Sequence, residues 1–134
     1  MPEQNVEVVR DLLEAFRSRD HERAFDFYDP EIEWDISAYP LPDWPDTGRG
    51  RADYVVNLTG YIQGWRDYQT ELRGVMDAGE DVVVALHESV TLRDSGTLLD
   101  RDLYQVWTVH NATIVRFRVF KTKEQALEAA GLSD

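Results

Sequence analysis

Four β-rich runs in the second half of the chain, each closed by turn residues, constrain the fold more than any other feature. Tyr68–Met76 ends at Asp77-Ala78-Gly79-Glu80, and Asp81–Leu92 ends at Arg93-Asp94-Ser95-Gly96. Thr97–Val109 turns at His110-Asn111-Ala112 into Thr113–Phe120. Joints this short connect antiparallel strands, because a parallel connection needs a crossover of roughly a dozen residues. The spacing therefore predicts an antiparallel meander. Alternation groups Leu103, Gln105, Trp107 and Val109 against Tyr104, Val106 and Thr108. It likewise sets Val115, Phe117 and Val119 against Ile114, Arg116, Arg118 and Phe120. Both faces carry large apolar groups, so one is expected to meet helices and the other a second subunit, with a C2 homodimer the simplest closure.

Upstream, the apolar period changes from two to 3.6. Val6, Val9, Leu12, Leu13 and Phe16 form one helical stripe, with Asn5 placed to cap its start and Arg17 and Arg19 suited to its negative end. Asp20 reads as the cap of a short second helix through Ala24, Phe27 and Tyr28, stopped by Pro30. Glu31–Ile36 alternates as a strand. Residues 37–50 contain Pro40, Pro42 and Pro45 and read as a loop, packed down through Tyr39, Leu41 and Trp44. Arg51–Trp65 reads as a third helix with Val55, Leu58, Ile62 and Trp65 on one face. Its β-branched residues and Gly60 and Gly64 give it poor propensity, so tertiary packing must hold it. Thr122-Lys123-Glu124-Gln125 matches a capping box that opens a last helix, which Gly131 can stop. Helices early and strands late predict one α+β domain over residues 1–134.

Composition limits the function. The 26 acidic and 14 basic residues give a formal charge of −12, which repels phosphate backbones and argues against a nucleic-acid partner. With no Cys, thiolate catalysis, disulfides and Cys-ligated metals are excluded. The three His show no metal-ligand spacing, so neither a metal nor a cofactor is expected. No dinucleotide, Walker or nucleophile-elbow motif is present. No apolar run approaches the ~20 residues that span a bilayer, and Pro2-Glu3-Gln4-Asn5 is unlike a signal peptide. A soluble cytoplasmic protein without a membrane partner is the expectation.

The opening helix pair ending at Asp20, the run Tyr28-Asp29-Pro30-Glu31-Ile32-Glu33-Trp34 and Gly50-Arg51-Ala52 together resemble the nuclear transport factor 2-like superfamily. Met76–Val84, Val106–Val109, Ile114–Phe117 and the tail Glu124–Leu132 resemble the sheet and tail motifs of its SnoaL-like branch. The resemblance implies a curved, mostly antiparallel sheet wrapped around N-terminal helices, forming a cone-shaped pocket for a small hydrophobic ligand, and usually a homodimer. It also implies a choice of chemistry: isomerases, cyclases, dehydratases, epoxide hydrolases and non-catalytic modules share this fold.

Asp35 resembles in position the general base of ketosteroid isomerases, and a carboxylate at an apolar mouth suits proton transfer between carbons. Simple alternation, however, turns Asp35 away from Trp34. Leu12 and Gln105 stand where the isomerases carry an oxyanion Tyr and a protonated acid. Gln105, or Arg118, is the remaining candidate to stabilise negative charge. Arg116 and Arg118 face the cavity by the resemblance and solvent by polarity; if inward, they need partners, for which Asp35, Glu88 or an anionic ligand could serve. Asp100-Arg101-Asp102 supplies the residue types of an epoxide-hydrolase relay on alternating faces, or an exposed charged strand start. His87 is either a hydrogen-bonded strand residue or an acid–base group, whereas His21 and His110 are expected in solvent. Trp34, Tyr39, Tyr61, Trp65, Trp107 and Phe120 are the aromatic candidates for the lining, as core or as ligand contacts. Leu58, Glu88 and Arg116 complete the expected binding set.

Overall fold

In a computed structural model, residues 2–41 and 44–132 are described. The meander forms β3 (Trp65–Ala78), β4 (Asp81–Leu92), β5 (Leu98–His110) and β6 (Thr113–Phe120). Two strands from the first half, β1 (Tyr28–Asp35) and β2 (Thr47–Arg49), extend the same sheet. The order is β2-β1-β6-β5-β4-β3. Only β1 and β6 run parallel; every other neighbouring pair is antiparallel. The helices are α1 (Pro2–Arg17), α2 (His21–Phe25), α3 (Arg51–Gln63) and α4 (Lys123–Ala129). The chain thus adopts the expected α+β arrangement, a curved and mostly antiparallel sheet that remains open. Its free edges are the three-residue β2 and the long β3, whose register shifts twice, near Arg66 and Arg73.

Several local readings change. Asn5 lies inside α1, and its side-chain Nδ2 donates to the Gly79 carbonyl at 2.9 Å, tying the helix to the β3–β4 turn instead of capping it. Asp20 does cap α2, accepting from the Arg23 amide. Pro30 does not stop a helix; β1 begins at Tyr28, and Pro30 falls in the register break between Tyr28 and Glu33, where no ladder amide is required of it. The proline-rich segment contains the short β2 just after Pro45, so the ladder resumes once the prolines end. Pro42 lies outside the described residues. Trp65 opens β3 instead of ending α3. Thr122 caps α4 through the Gln125 amide at 3.1 Å.

One core lies between the sheet's inner face and α1 to α3, built on residues such as Leu12, Ile32, Tyr54, Val84, Trp107 and Ile114. Ile114 and Phe117 both join it because the register shifts between Thr108 and Val109, opposite Val115, and this breaks strict alternation. A smaller core on the outer face places Ala126 and Leu127 of α4 over Val83, Tyr104, Val106 and Phe120. The apolar outer positions that suggested a second subunit are therefore covered, in part, by the chain's own last helix. At the inner end of β1, Trp34 packs edge-on to Trp44 and Tyr54 and donates to the Pro45 carbonyl at 2.9 Å. Its indole lies so near Gly48 that a side chain there would overlap it.

Candidate functional site

A cavity of about 140 Å³ remains between the helices and the inner sheet face. Helix α3 sends in Tyr54, Leu58 and Tyr61, which recur at helical spacing and so share one stripe. Leu13 and Phe16 come from α1, and Tyr39, Leu41 and Trp44 from the proline-rich segment, whose bends fold its aromatic groups inward. The sheet contributes Trp65, Tyr68 and Thr70 of β3, Glu88 of β4, Leu103, Gln105 and Trp107 of β5, and Phe117 and Val119 of β6.

The polar groups gather on one wall. The ladder places Glu88 opposite Arg101. Arg101 donates from Nε and Nη2 to the same carboxylate oxygen, Oε1, at 3.2 and 3.1 Å. Among the described residues the second oxygen, Oε2, accepts only a long bond from the Tyr68 hydroxyl, at 3.4 Å. Arg101 Nη2 also donates to the Tyr61 hydroxyl at 3.4 Å, which leaves that hydroxyl's own proton free, and its guanidinium lies 4.8 Å from the centre of the Tyr39 ring. Both charged side chains are shielded, 8% exposed for Glu88 and 19% for Arg101. A buried carboxylate is tolerable here because the guanidinium neutralises it. Burial, then the Glu88 charge, pushes Tyr61 up to about 12, with Arg101 opposing. Burial, and then Glu88, raises Tyr68 further. Both phenols are therefore held as donors at neutral pH.

The opposite wall is aromatic. Tyr28 meets Tyr54 edge-on with ring centres 4.6 Å apart, and burial raises the pKa of both. Tyr28 Oη, Trp44 Nε1 and Trp65 Nε1 are buried without a hydrogen-bond partner among the described residues. Three orphaned polar atoms around one space are costly unless a guest or water meets them. Gln105 accepts from Trp107 Nε1 at 3.1 Å, so its amide donors remain available.

Of the residues expected from the sequence, Tyr39, Leu58, Tyr61, Trp65, Glu88, Gln105 and Trp107 line this cavity. The others do not. Asp35 and Arg118 are paired across β1 and β6 but point to the outer face, where they border a depression beside α4. Alternation from the inward Trp34 and Phe117 dictates this, with no bulge between to reverse it. Asp35 Oδ1 accepts from the Ser37 amide and hydroxyl, and Arg118 reaches Asp81 at 3.5 Å. Neither Asp35 nor Arg118, both expected as catalytic residues, lines the cavity. Arg116 lies exposed on the same outer face, and Phe120 is covered by α4. Trp34 is core behind the lining. His87 also faces outward, between Asp100 and Asp102, whereas Arg101 between those two acids faces in.

Tyr68, Tyr28 and Tyr54 are not among the site residues expected from the sequence, and Arg101 is expected there only as part of a relay or an exposed strand start. One signal could have found Arg101: counting outward from the Arg93–Gly96 turn pairs Thr91 with Leu98, and hence Glu88 with Arg101, an opposite-charge cross-strand pair.

The model of the SnoaL-like domain family matches residues 9–117. The chain belongs to that family. Among solved structures, this SnoaL-like domain is similar to an NTF2-like protein from Burkholderia thailandensis, at 25% identity over 96% of this chain and 95% of that one, TM-score 0.75. It is similar to a putative SnoaL-like polyketide cyclase from Mesorhizobium loti, at 18% identity over 85% and 96% of the two chains, TM-score 0.70. TerC, co-crystallised with polyporic acid, matches at 21% identity over 96% and 98%, TM-score 0.71. At these identities the likeness is one of fold. A search among curated proteins gives no significant match. No helix among the described residues is long and apolar enough to cross a membrane.

Proposed function

We propose that this SnoaL-like domain binds a small, largely apolar molecule in the cavity and performs acid–base chemistry on it with its own side chains. The observation that carries the reading is the shielded Glu88–Arg101 pair at the wall of an otherwise aromatic space. Glu88 Oε2, the less engaged oxygen, takes a proton from a carbon next to a carbonyl. The Tyr61 hydroxyl, with its proton free, donates to the oxygen on which negative charge develops, and Gln105 is a second donor. Return of the proton from Glu88 to another carbon completes an isomerisation; attack of the enolate carbon on a second carbonyl of the same molecule, whose oxygen then takes the proton, completes a cyclisation; delivery to a leaving hydroxyl completes a dehydration. Arg101, bonded to Oε1, keeps the Glu88 carboxyl group oriented throughout. A cavity of about 150 Å³ accommodates a benzene-sized guest, so the buried part of the substrate is about one ring.

The test is a panel of enones, cyclic ketones and hydroxy-ketones screened for turnover and for thermal stabilisation, with Glu88→Gln beside the parent chain. Loss of turnover with ligand stabilisation retained supports the reading. A second reading, a binding module without turnover, is favoured by the two bonds that fix Oε1 to Arg101, because they suit a purely structural pair. Stabilisation by a ligand that neither chain converts selects it. A homodimer is part of the same proposal, supported by exposed Met76 and Leu98 on the sheet face that α4 leaves open, and tested by sedimentation.

A further inference from the structure

Beside the cavity lies a second cleft of about 300 Å³. Phe16, Trp65, Tyr68 and Thr70 wall both spaces, so the two lie side by side. Of the four remaining residues that line the cleft, two are arginines, Arg17 and Arg19, and a third is His21, whose pKa burial and then the Arg19 charge lower. No carboxylate lines it, a local reversal of sign in a chain of net charge −12. Two acids adjoin it in sequence, one of them on a cleft arginine. Glu14 pairs with the exposed Arg17 at 3.7 Å, and Asp20 accepts from the Arg23 amide at 3.3 Å to cap α2.

Two further observations point to a ligand. Arg19 occupies a left-handed conformation, φ 63°, at the end of α1. Its amide bonds to the Phe16 carbonyl at 3.1 Å and the Asp20 amide to the Ala15 carbonyl at 2.8 Å, the double bond that closes a helix at a position normally given to glycine. A Cβ there is strained, and Arg17 alone already offsets the helix dipole. A strained side chain retained at the rim of a cleft directs attention to what that side chain does. His21, expected in solvent, is instead packed between Phe16 and Phe25, and its Nε2 is buried without a partner among the described residues.

We infer that the occupant of this site is an anion, an apolar body of about one ring whose carboxylate is received in the cleft by Arg19 and His21. The inference rests on the proposed use of the cavity and adds the charge of the molecule that fills it. Fluorescence titration follows binding directly, because Trp65 walls both spaces. The probes are benzoate, 3-phenylpropionate and 1-naphthoate, each beside its methyl ester. At low salt at least one acid is expected to bind about tenfold more tightly than its ester, the increment of one charge-assisted hydrogen bond. In Arg19→Gly that preference falls to about twofold or less, while the variant melts at the same or a higher temperature because glycine relieves the strained φ. Esters binding as well as acids, or acid preference surviving in Arg19→Gly, overturns the anion and leaves the cavity reading standing. Failure of every acid and every ester to bind overturns both.

Discussion

Arg101 reaches across the β4–β5 ladder to place two nitrogens on one oxygen of Glu88, at 3.2 and 3.1 Å. Because the pair is shielded, removing one partner leaves an uncompensated charge. Arg101→Met is expected to destabilise the fold by about 3 kcal/mol, measured by urea denaturation, with Glu88→Gln/Arg101→Met recovering part of the loss. Equal losses in the single and double variants would mean that the pair is not coupled.

The Tyr28 hydroxyl is buried without a partner among the described residues, so Tyr28→Phe leaves no donor or acceptor there unpaired. Its thermal stability is expected to stay within about 0.5 kcal/mol of the parent or to rise. Any cavity ligand that carries an oxygen acceptor should bind severalfold more weakly to the variant. A large loss of stability would show that the hydroxyl is satisfied within the fold.

Gly48 stands against the Trp34 indole, where a Cβ would lie 2.2 Å from Cζ2. The ring is wedged between Trp44 and Tyr54 and cannot retreat freely. Gly48→Ala should cost about 2–3 kcal/mol by overpacking and shift the tryptophan emission. A neutral result would mean that β2 can peel from β1 at no cost.

The β5–β6 hairpin turns through Asn111 and Ala112, both at positive φ, 49° and 65°. This is the two-residue turn that favours Asn-Gly. Ala112→Gly is expected to raise stability by about 1 kcal/mol, read as a higher melting temperature.

His87 makes the pH prediction. Its hydrogen bond to Asp102 chiefly, and the Asp100 charge, raise its pKa above the ordinary 6.5, against partial desolvation and the charge of Arg73. A raised histidine contributes stability that is complete below the unfolded value and is lost as pH rises through the folded one. Asp102 is lowered, first by the His87 bond, so its contribution is lost as pH falls through the folded value, below the ordinary 3.8. Denaturation midpoints of the parent and His87→Gln should therefore differ most between about pH 4.5 and 6.5 and converge at alkaline pH. Parallel curves across that range would remove the linkage.

The meander, the cap at Asp20 and the last helix were legible because each depends on neighbours in sequence: turn residues, a capping side chain, an apolar period. The parallel junction of β1 with β6 was not, since nothing local to Glu31–Ile36 specifies a partner eighty residues away. The candidate site divides along the same line. Tyr61, Trp65 and Trp107 stand out as aromatics, but Arg101 looks like a surface charge until the ladder sets it against Glu88. Asp35 failed for the opposite reason. Its alternation with Trp34 turns it outward, whereas the resemblance to ketosteroid isomerases implies a base that faces the pocket.

The long free edge formed by β3 has a consequence beyond the site. Fourteen residues of open backbone invite a foreign strand to add on, yet this edge carries Arg66, Asp67, Glu71, Arg73 and Asp77 and breaks register twice. Charges and kinks of that kind spoil the flat, repeating contact that fibril growth requires. The two register shifts and the charges along β3 thus work against self-templated stacking of the chain.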